Sequence, residues 1–121
     1  MLTTGIDLVK ISRIEKSMVN PRFLTRVFSV AEQAMLKKRK NPVQTAAANF
    51  AAKEAFSKAM GTGIRGFWLN EVSVLRDELG KPYFVLEGKA EILANQAGLQ
   101  FSVSLTHTED TAAAFVVGYP V

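Results

Sequence analysis

Residues 49–63, NFAAKEAFSKAMGTG, set an acid, Glu54, between Lys53 and Lys58 on an alanine-rich run that stops at two glycines. On a helix, at about 100° per residue, Ala51, Ala52, Ala55, Phe56 and Ala59 share one side. Lys53, Glu54, Ser57 and Lys58 take the other. Glu54 and Lys58 stand four apart in the order that favours pairing, so the plainest expectation is a solvated face with a routine surface ion pair. Asp7 argues for more. It interrupts the apolar stretch GIDLV, where a carboxylate is costly unless it is paired, hydrogen-bonded, metal-bound or on an exposed strand face. Together, Asp7 and Glu54 suit a hard cation such as Mg²⁺, which takes one or two carboxylates and fills its shell with water and phosphate oxygens. Lys58, one turn beyond Glu54, is placed to meet the same phosphate.

Gly61 and Gly63 follow the helix and would let backbone approach a ligand, although a plain C-cap accounts for them equally well. Neither a P-loop nor a strand-to-helix GxGxxG is present. His107, the only histidine, sits between Thr106 and Thr108 in a turn-like segment that could bind phosphate or be purely structural. With one histidine and no cysteine, a zinc site would need several carboxylates and is not expected. No GxSxG marks a hydrolase nucleophile.

These residues need rigid elements to position them. TGIDLVKI at 4–11 reads as a strand. Ser12 with Glu15 resembles a capping box opening a short helix. Asn20-Pro21 caps a second helix, and Ser29 with Glu32 caps a third that ends in KKRK, residues 37–40. Asn41-Pro42 starts the long helix, which Gly61 ends. Residues 67–76 read as a strand, DELGKP at 77–82 as a turn and YFVLEG as the returning strand. AEILANQAG is a short helix closed by Gly98. FSVSLTH and TAAAFVVGY are strands joined by THTED. Helices dominate the first half and antiparallel strands the second, which is an α+β pattern. The 121 residues fit one domain, 1–121, able to bury a core without staples.

The absence of cysteine suits a reducing compartment. The chain shows no signal-peptide pattern or membrane-length apolar run, so a soluble cytoplasmic protein is expected. The net charge of +4 is concentrated: residues 1–40 carry nine Lys/Arg against three Asp/Glu. That half should face an acidic partner. A nucleic-acid module is the rival class, but the basic residues are not interleaved with aromatics and no helix-turn-helix glycine turn is evident. Neither nucleic acid nor membrane is expected as a partner.

Three separated segments, GIDLV, FAAKEAFSKAMGTG and SLTHT followed by an alanine run, occur in this order with the turn LGKPY between them. Together they resemble holo-acyl-carrier-protein synthase, the small bacterial type of 4′-phosphopantetheinyl transferase, over essentially the whole chain. The resemblance implies transfer of phosphopantetheine from coenzyme A to a serine of apo-acyl carrier protein in fatty acid biosynthesis, with release of 3′,5′-ADP. It implies Mg²⁺ held by Asp7 and Glu54, and Lys58 on the pyrophosphate. A metal-bound water or a nearby carboxylate would take the serine proton. Gly61, Gly63, Lys81, Pro82, His107 and Thr108 are implied to contact coenzyme A. Arg13, Lys16, Arg22 and Arg26 are candidates for docking the acidic carrier protein, and KKRK for reaching the 3′-phosphate. A homotrimer with active sites between subunits is implied, and the alanine face of the long helix offers a surface to bury against a neighbour. One departure stands out: many members carry arginine where this chain has Asn49, a loss that KKRK would have to make good.

Overall fold

The structure, a computed structural model, describes residues 1–63 and 65–121. Strand β1 (Thr3–Lys10) runs directly into helix α1 (Ile11–Met18), followed by α2 (Pro21–Val27), α3 (Val30–Lys37) and the long α4 (Pro42–Met60). A short 3-10 turn at Leu69–Glu71 leads into β2 (Val72–Arg76) and β3 (Pro82–Leu86). Helix α5 (Gly88–Ala97), β4 (Leu99–His107) and β5 (Thr111–Pro120) complete the chain. The strands form two antiparallel sheets, one ordered β1-β5-β4 and the other β2-β3. The α+β expectation holds.

Several starts follow the local chemistry. Asn20 accepts from Arg22 N, Asn41 from Gln44 N, and Ser29 and Glu32 form a reciprocal capping box. The box expected at Ser12 does not form. Helix α1 begins at Ile11 with no side-chain cap, and Ile11 N instead donates to Asp110 O at 2.8 Å. A neighbouring turn satisfies the end that a serine was expected to satisfy. Residues 67–71 are also not strand: Glu71 accepts from Trp68 N and holds a tight turn before β2.

Helix α4 is the core of the molecule. Ala46, Ala47, Ala51, Ala52, Ala55 and Phe56 are fully buried, and the sheet face meeting the helix is equally small-grained, with Gly5, Ala112, Ala114 and Val116. A Cβ on Gly5 would collide with the Ala55 carbonyl oxygen and lie 2.9 Å from Ala59 N. Glycine at position 5 therefore sets how closely β1 approaches α4. The alanine face is buried within its own chain, so it is not available for a neighbouring copy. Among the exposed apolar residues, Ile6, Leu8 and Phe115 lie together on the outer face of the larger sheet.

The opposite side of α4 is only partly solvated, with Lys58 exposed and Glu54 half-buried. Lys53 and Ser57 are buried, contrary to the helical-face expectation. Lys53 Nζ donates to Glu32 Oε1 at 2.5 Å, Val72 O at 2.6 Å and Leu69 O at 3.0 Å. Glu32 also accepts from Asn49 Nδ2 and Val74 N. Twelve of the nineteen residues of α4 are buried, which makes it a central helix whose lysine is paired inside the protein. Burial pulls the Lys53 ammonium down to about 8, with the charge and hydrogen bond of Glu32 working against it.

Candidate active site

Asp7 lies on β1, where it is opposite Ala114 of β5. Glu54 and Lys58 lie on α4. Strand and helix meet at the Gly5 contact, and this brings both carboxylates to one place within a single chain. Burial, and then the charge of Asp7, push the Glu54 carboxyl above its ordinary range, while Lys58 and Arg13 oppose the shift. Lys58 Nζ does not pair with Glu54. It reaches β1, donating to Ile6 O at 2.8 Å and to Asp7 Oδ1 at 3.3 Å. The side chain remains more than half exposed, with one of its three donors left for a ligand. A shallow cleft of about 410 Å³ opens here, lined by Ile6, Asp7, Leu8, Lys58 and Ala113.

Among the described residues no group of three or more His, Cys, Asp or Glu converges on one point. The charge of Asp7 adds to the cost of ionising Glu54, and Lys58 and Arg13 oppose it. An all-oxygen, two-carboxylate donor set with open space beside it fits Mg²⁺, which keeps most of its shell for water and phosphate. Gly61 and Gly63, both with positive φ, lie just beyond Lys58, and a Cβ at either would meet nothing within 4 Å. The backbone there is open to approach.

Arg13 joins this end of the molecule. Its guanidinium sits 5.8 Å from the centre of the Phe50 ring and acts electrostatically on Glu54. Lys16, Arg22 and Arg26 are exposed on α1 and α2. The remaining predicted contacts fall elsewhere. Strand β2 runs antiparallel to α4, since Val72 O meets Lys53 and Val74 O meets Asn49. Its far end, Arg76, pairs with Pro82, so Lys81 and Pro82 lie toward the start of α4. His107 is at that start too, its Nδ1 accepting from Gln44 Nε2 at 3.2 Å. Thr108 Oγ1 accepts from Asp110 N and Thr111 N and shapes the β4–β5 turn. Gln44 and Glu54 are ten residues apart on α4, roughly 15 Å at the helical rise. One chain thus carries two groups of predicted residues at opposite ends of one helix.

Two features escaped the sequence reading. Asn49 is fully buried, and its Oδ1 accepts from Arg76 Nη2 at 2.7 Å. Arg76 had no signal of its own, being the last residue of a strand. The one clue was asparagine standing where an arginine was expected.

The 4′-phosphopantetheinyl transferase superfamily model matches residues 3–116. The chain belongs to this superfamily. It is 43% identical over 115 residues to a holo-[acyl-carrier-protein] synthase of Lachnoclostridium phytofermentans, covering 94% of this chain and 92% of that one. The crystal structure of the Neisseria meningitidis holo-[acyl-carrier-protein] synthase superposes with a TM-score of 0.90 at 35% identity, covering 97% of each chain. The Bacillus anthracis synthase, in complex with CoA (3′,5′-ADP), superposes at 0.83 with 30% identity, covering 98% of this chain and 96% of that one.

Proposed function

We propose that this chain is a Mg²⁺-dependent holo-acyl-carrier-protein synthase. Acting as one domain over residues 1–121, it transfers 4′-phosphopantetheine from coenzyme A to a serine of apo-acyl carrier protein and releases 3′,5′-ADP. The observation that carries the reading is the meeting of Asp7, Glu54 and Lys58 at the β1–α4 contact, in a superfamily member with near-complete coverage by synthases.

In the transfer, the serine oxygen bonds to the β-phosphorus of coenzyme A, its proton passes to water or a nearby carboxylate, and the bond from that phosphorus to the bridging oxygen breaks. The electron pair leaves with 3′,5′-ADP. Asp7 and Glu54 would hold Mg²⁺, which when bound supplies Lewis-acid polarisation of the phosphoryl oxygens and neutralises developing charge. Lys58, fixed by Ile6 O and Asp7, aims an ammonium at the same pyrophosphate and favours the transition state as charge moves to the departing phosphate. Gly61 and Gly63 leave room for the coenzyme along the end of α4. The acidic carrier protein is proposed to dock on Arg13, Lys16, Arg22 and Arg26, with Arg13 closest to the chemistry.

We further propose a homotrimer with the site between subunits. The cleft beside Asp7 shares Ile6 and Leu8 with the exposed apolar face of the sheet, so a copy covering that face would also wall the cleft. It would bring its own His107 group toward the first chain's metal pair. No helix among the described residues is long and apolar enough to cross a membrane, and a cytoplasmic place in fatty acid biosynthesis suits these substrates.

The test is mass spectrometry of apo-acyl carrier protein after incubation with the protein, coenzyme A and Mg²⁺. A gain of one phosphopantetheine is expected, with none when coenzyme A or metal is left out. An unchanged carrier protein under full conditions rejects the assignment. Light scattering should give three times the mass of one chain, and a monomer of normal activity would reject the assembly.

A further inference from the structure

Arg76 is positioned for a task that neither the fold nor the metal pair explains. It ends β2 beside a cavity of about 190 Å³ lined by Gln44, Thr45, Ala48, Thr106, His107 and Arg76 itself, together with Leu105. The cavity has hydroxyls, an amide, an imidazole and a guanidinium, and no carboxylate. The Arg76 side chain is steered into place: Nη2 donates to Asn49 Oδ1 at 2.7 Å, and Nη1 makes long bonds of 3.3 and 3.4 Å to the carbonyls of Val74 and Leu75. Asn49 is in turn anchored by Glu32 and Val74 O. Glu32, the acid of this network, is already matched by Lys53.

A second cation stands close. Burial and then the like charge of Arg39 lower the proton affinity of Arg76, with Glu32 opposing. Arg39 is not part of the cavity wall, but a like charge near enough to act on Arg76 beside a carboxylate-free cavity is a cost that an anion would relieve. His107, with Nδ1 3.2 Å from Gln44 Nε2 and 3.4 Å from Thr108 O, adds an imidazole to the same wall.

Coenzyme A has two phosphate loci, the pyrophosphate that reacts and the 3′-phosphate that does not. The first belongs with Asp7, Glu54 and Lys58. We infer that Arg76, oriented by Asn49, is a specificity-determining residue that binds the 3′-phosphate of coenzyme A beside His107. It supplies from β2 the guanidinium that position 49 of α4 lacks. Arg39 of the KKRK run adds to the same positive field. This rests on the transferase reading above.

Calorimetric titration with coenzyme A and with 3′-dephospho-coenzyme A separates the two claims. The unaltered protein should bind coenzyme A at least about tenfold more tightly than the dephospho form, the scale of one charge-assisted contact. Arg76→Gln should reduce that ratio at least about fivefold. It should leave the affinity for the dephospho form and the melting temperature nearly unchanged, and Arg76→Lys should keep an intermediate ratio. An unchanged ratio in Arg76→Gln, or equal losses for both ligands, overturns the role of Arg76 while leaving the transferase intact. If Arg76→Gln melts early, the Arg76→Lys ratio decides: a full wild-type preference overturns the proposal and a reduced one supports it. Failure of the unaltered protein to bind coenzyme A at all overturns both readings.

Discussion

Lys58 Nζ bridges the Ile6 carbonyl oxygen at 2.8 Å and Asp7 Oδ1 at 3.3 Å, so the lysine of the helix is tethered to the strand that carries the first acid. Helix and strand thereby share one cation, which lines the cleft and keeps one N–H free.

Replacing Lys58 with alanine should lower kcat by roughly two to three orders of magnitude, by analogy with other electrostatic stabilisers of a departing charge. The fold should persist, because the side chain is exposed and its pairing to Asp7 is worth well under ~1 kcal/mol. Arginine should rescue poorly, since a planar fork does not replace a compact ammonium. Single-turnover kinetics on purified carrier protein would settle it, and a near-normal kcat would remove Lys58 from the mechanism.

Metal should stabilise the folded protein through the carboxylate pair. Mg²⁺ is expected to raise the melting temperature, and Asp7→Asn or Glu54→Gln to abolish that rise along with transfer. The pH dependence has a definite sign. The Glu54 carboxyl is raised above its ordinary value of 4.5, so the folded state holds its proton more tightly than the unfolded state. The stability this contributes is present below pH 4.5 and is lost as pH rises through the folded value. Without metal, Glu54→Gln should flatten that loss. The Mg²⁺-induced rise should grow with pH over the same range, since the ion requires the deprotonated form. Equal Mg²⁺ shifts in wild type and Asp7→Asn would contradict the pairing.

Much of this site was legible before any fold was known. The GIDLV and FAAKEAFSK segments identified Asp7, Glu54 and Lys58 because chemistry restricts residue type more tightly than packing does. Most helix starts were equally readable, since Asn20, Ser29 and Asn41 act on their own next turn. What failed was set by distant chain. Ser12 lost its cap to the backbone of Asp110. Lys53 looked like a surface residue because periodicity records only polarity, and nothing local revealed that Glu32 would meet it inside. The alanine face was rightly read as a packing face, and because its own sheet fills it none is left for the neighbouring copy expected there.

The buried pair offers a separate test. Lys53→Met removes the cation and strands Glu32 in the core, which should cost about 3–5 kcal/mol in urea unfolding. Adding Glu32→Leu should recover part of that loss, although the cap at Ser29 and the bonds to Asn49 and Val74 N would still be missing. If Lys53→Met alone is as stable as wild type, Glu32 is taking up a proton or reaching water.

Charge reversal at Arg13 or Arg26 should raise the KM for carrier protein and leave that for coenzyme A nearly unchanged, because rim charges mainly steer encounter. Wild-type KM for carrier protein should climb with salt. Arg13→Glu should also affect kcat, given its electrostatic action on Glu54, whereas Arg26→Glu should not. Equal responses for both substrates would move these arginines from docking to coenzyme binding.

The Gly5 contact bears on how this protein could be engineered. Replacing glycine with alanine is a standard stabilising device where the backbone already tolerates a side chain, because it restricts the unfolded chain by about 0.4–1 kcal/mol. Gly5 and Gly118 have no positive φ, so a search guided by backbone angles alone would select them. Both are closed to it. An added methyl at Gly5 strikes the Ala55 carbonyl, and one at Gly118 strikes Thr3 Oγ1 and comes within 2.9 Å of the Phe101 ring. At Gly5 the injury would not stop at stability, since the helix that must retreat carries Glu54 and the strand it retreats from carries Asp7. Hardening this scaffold against heat therefore has to begin away from the β1–α4 seam, where the gap between two carboxylates is gauged by the absence of one carbon atom.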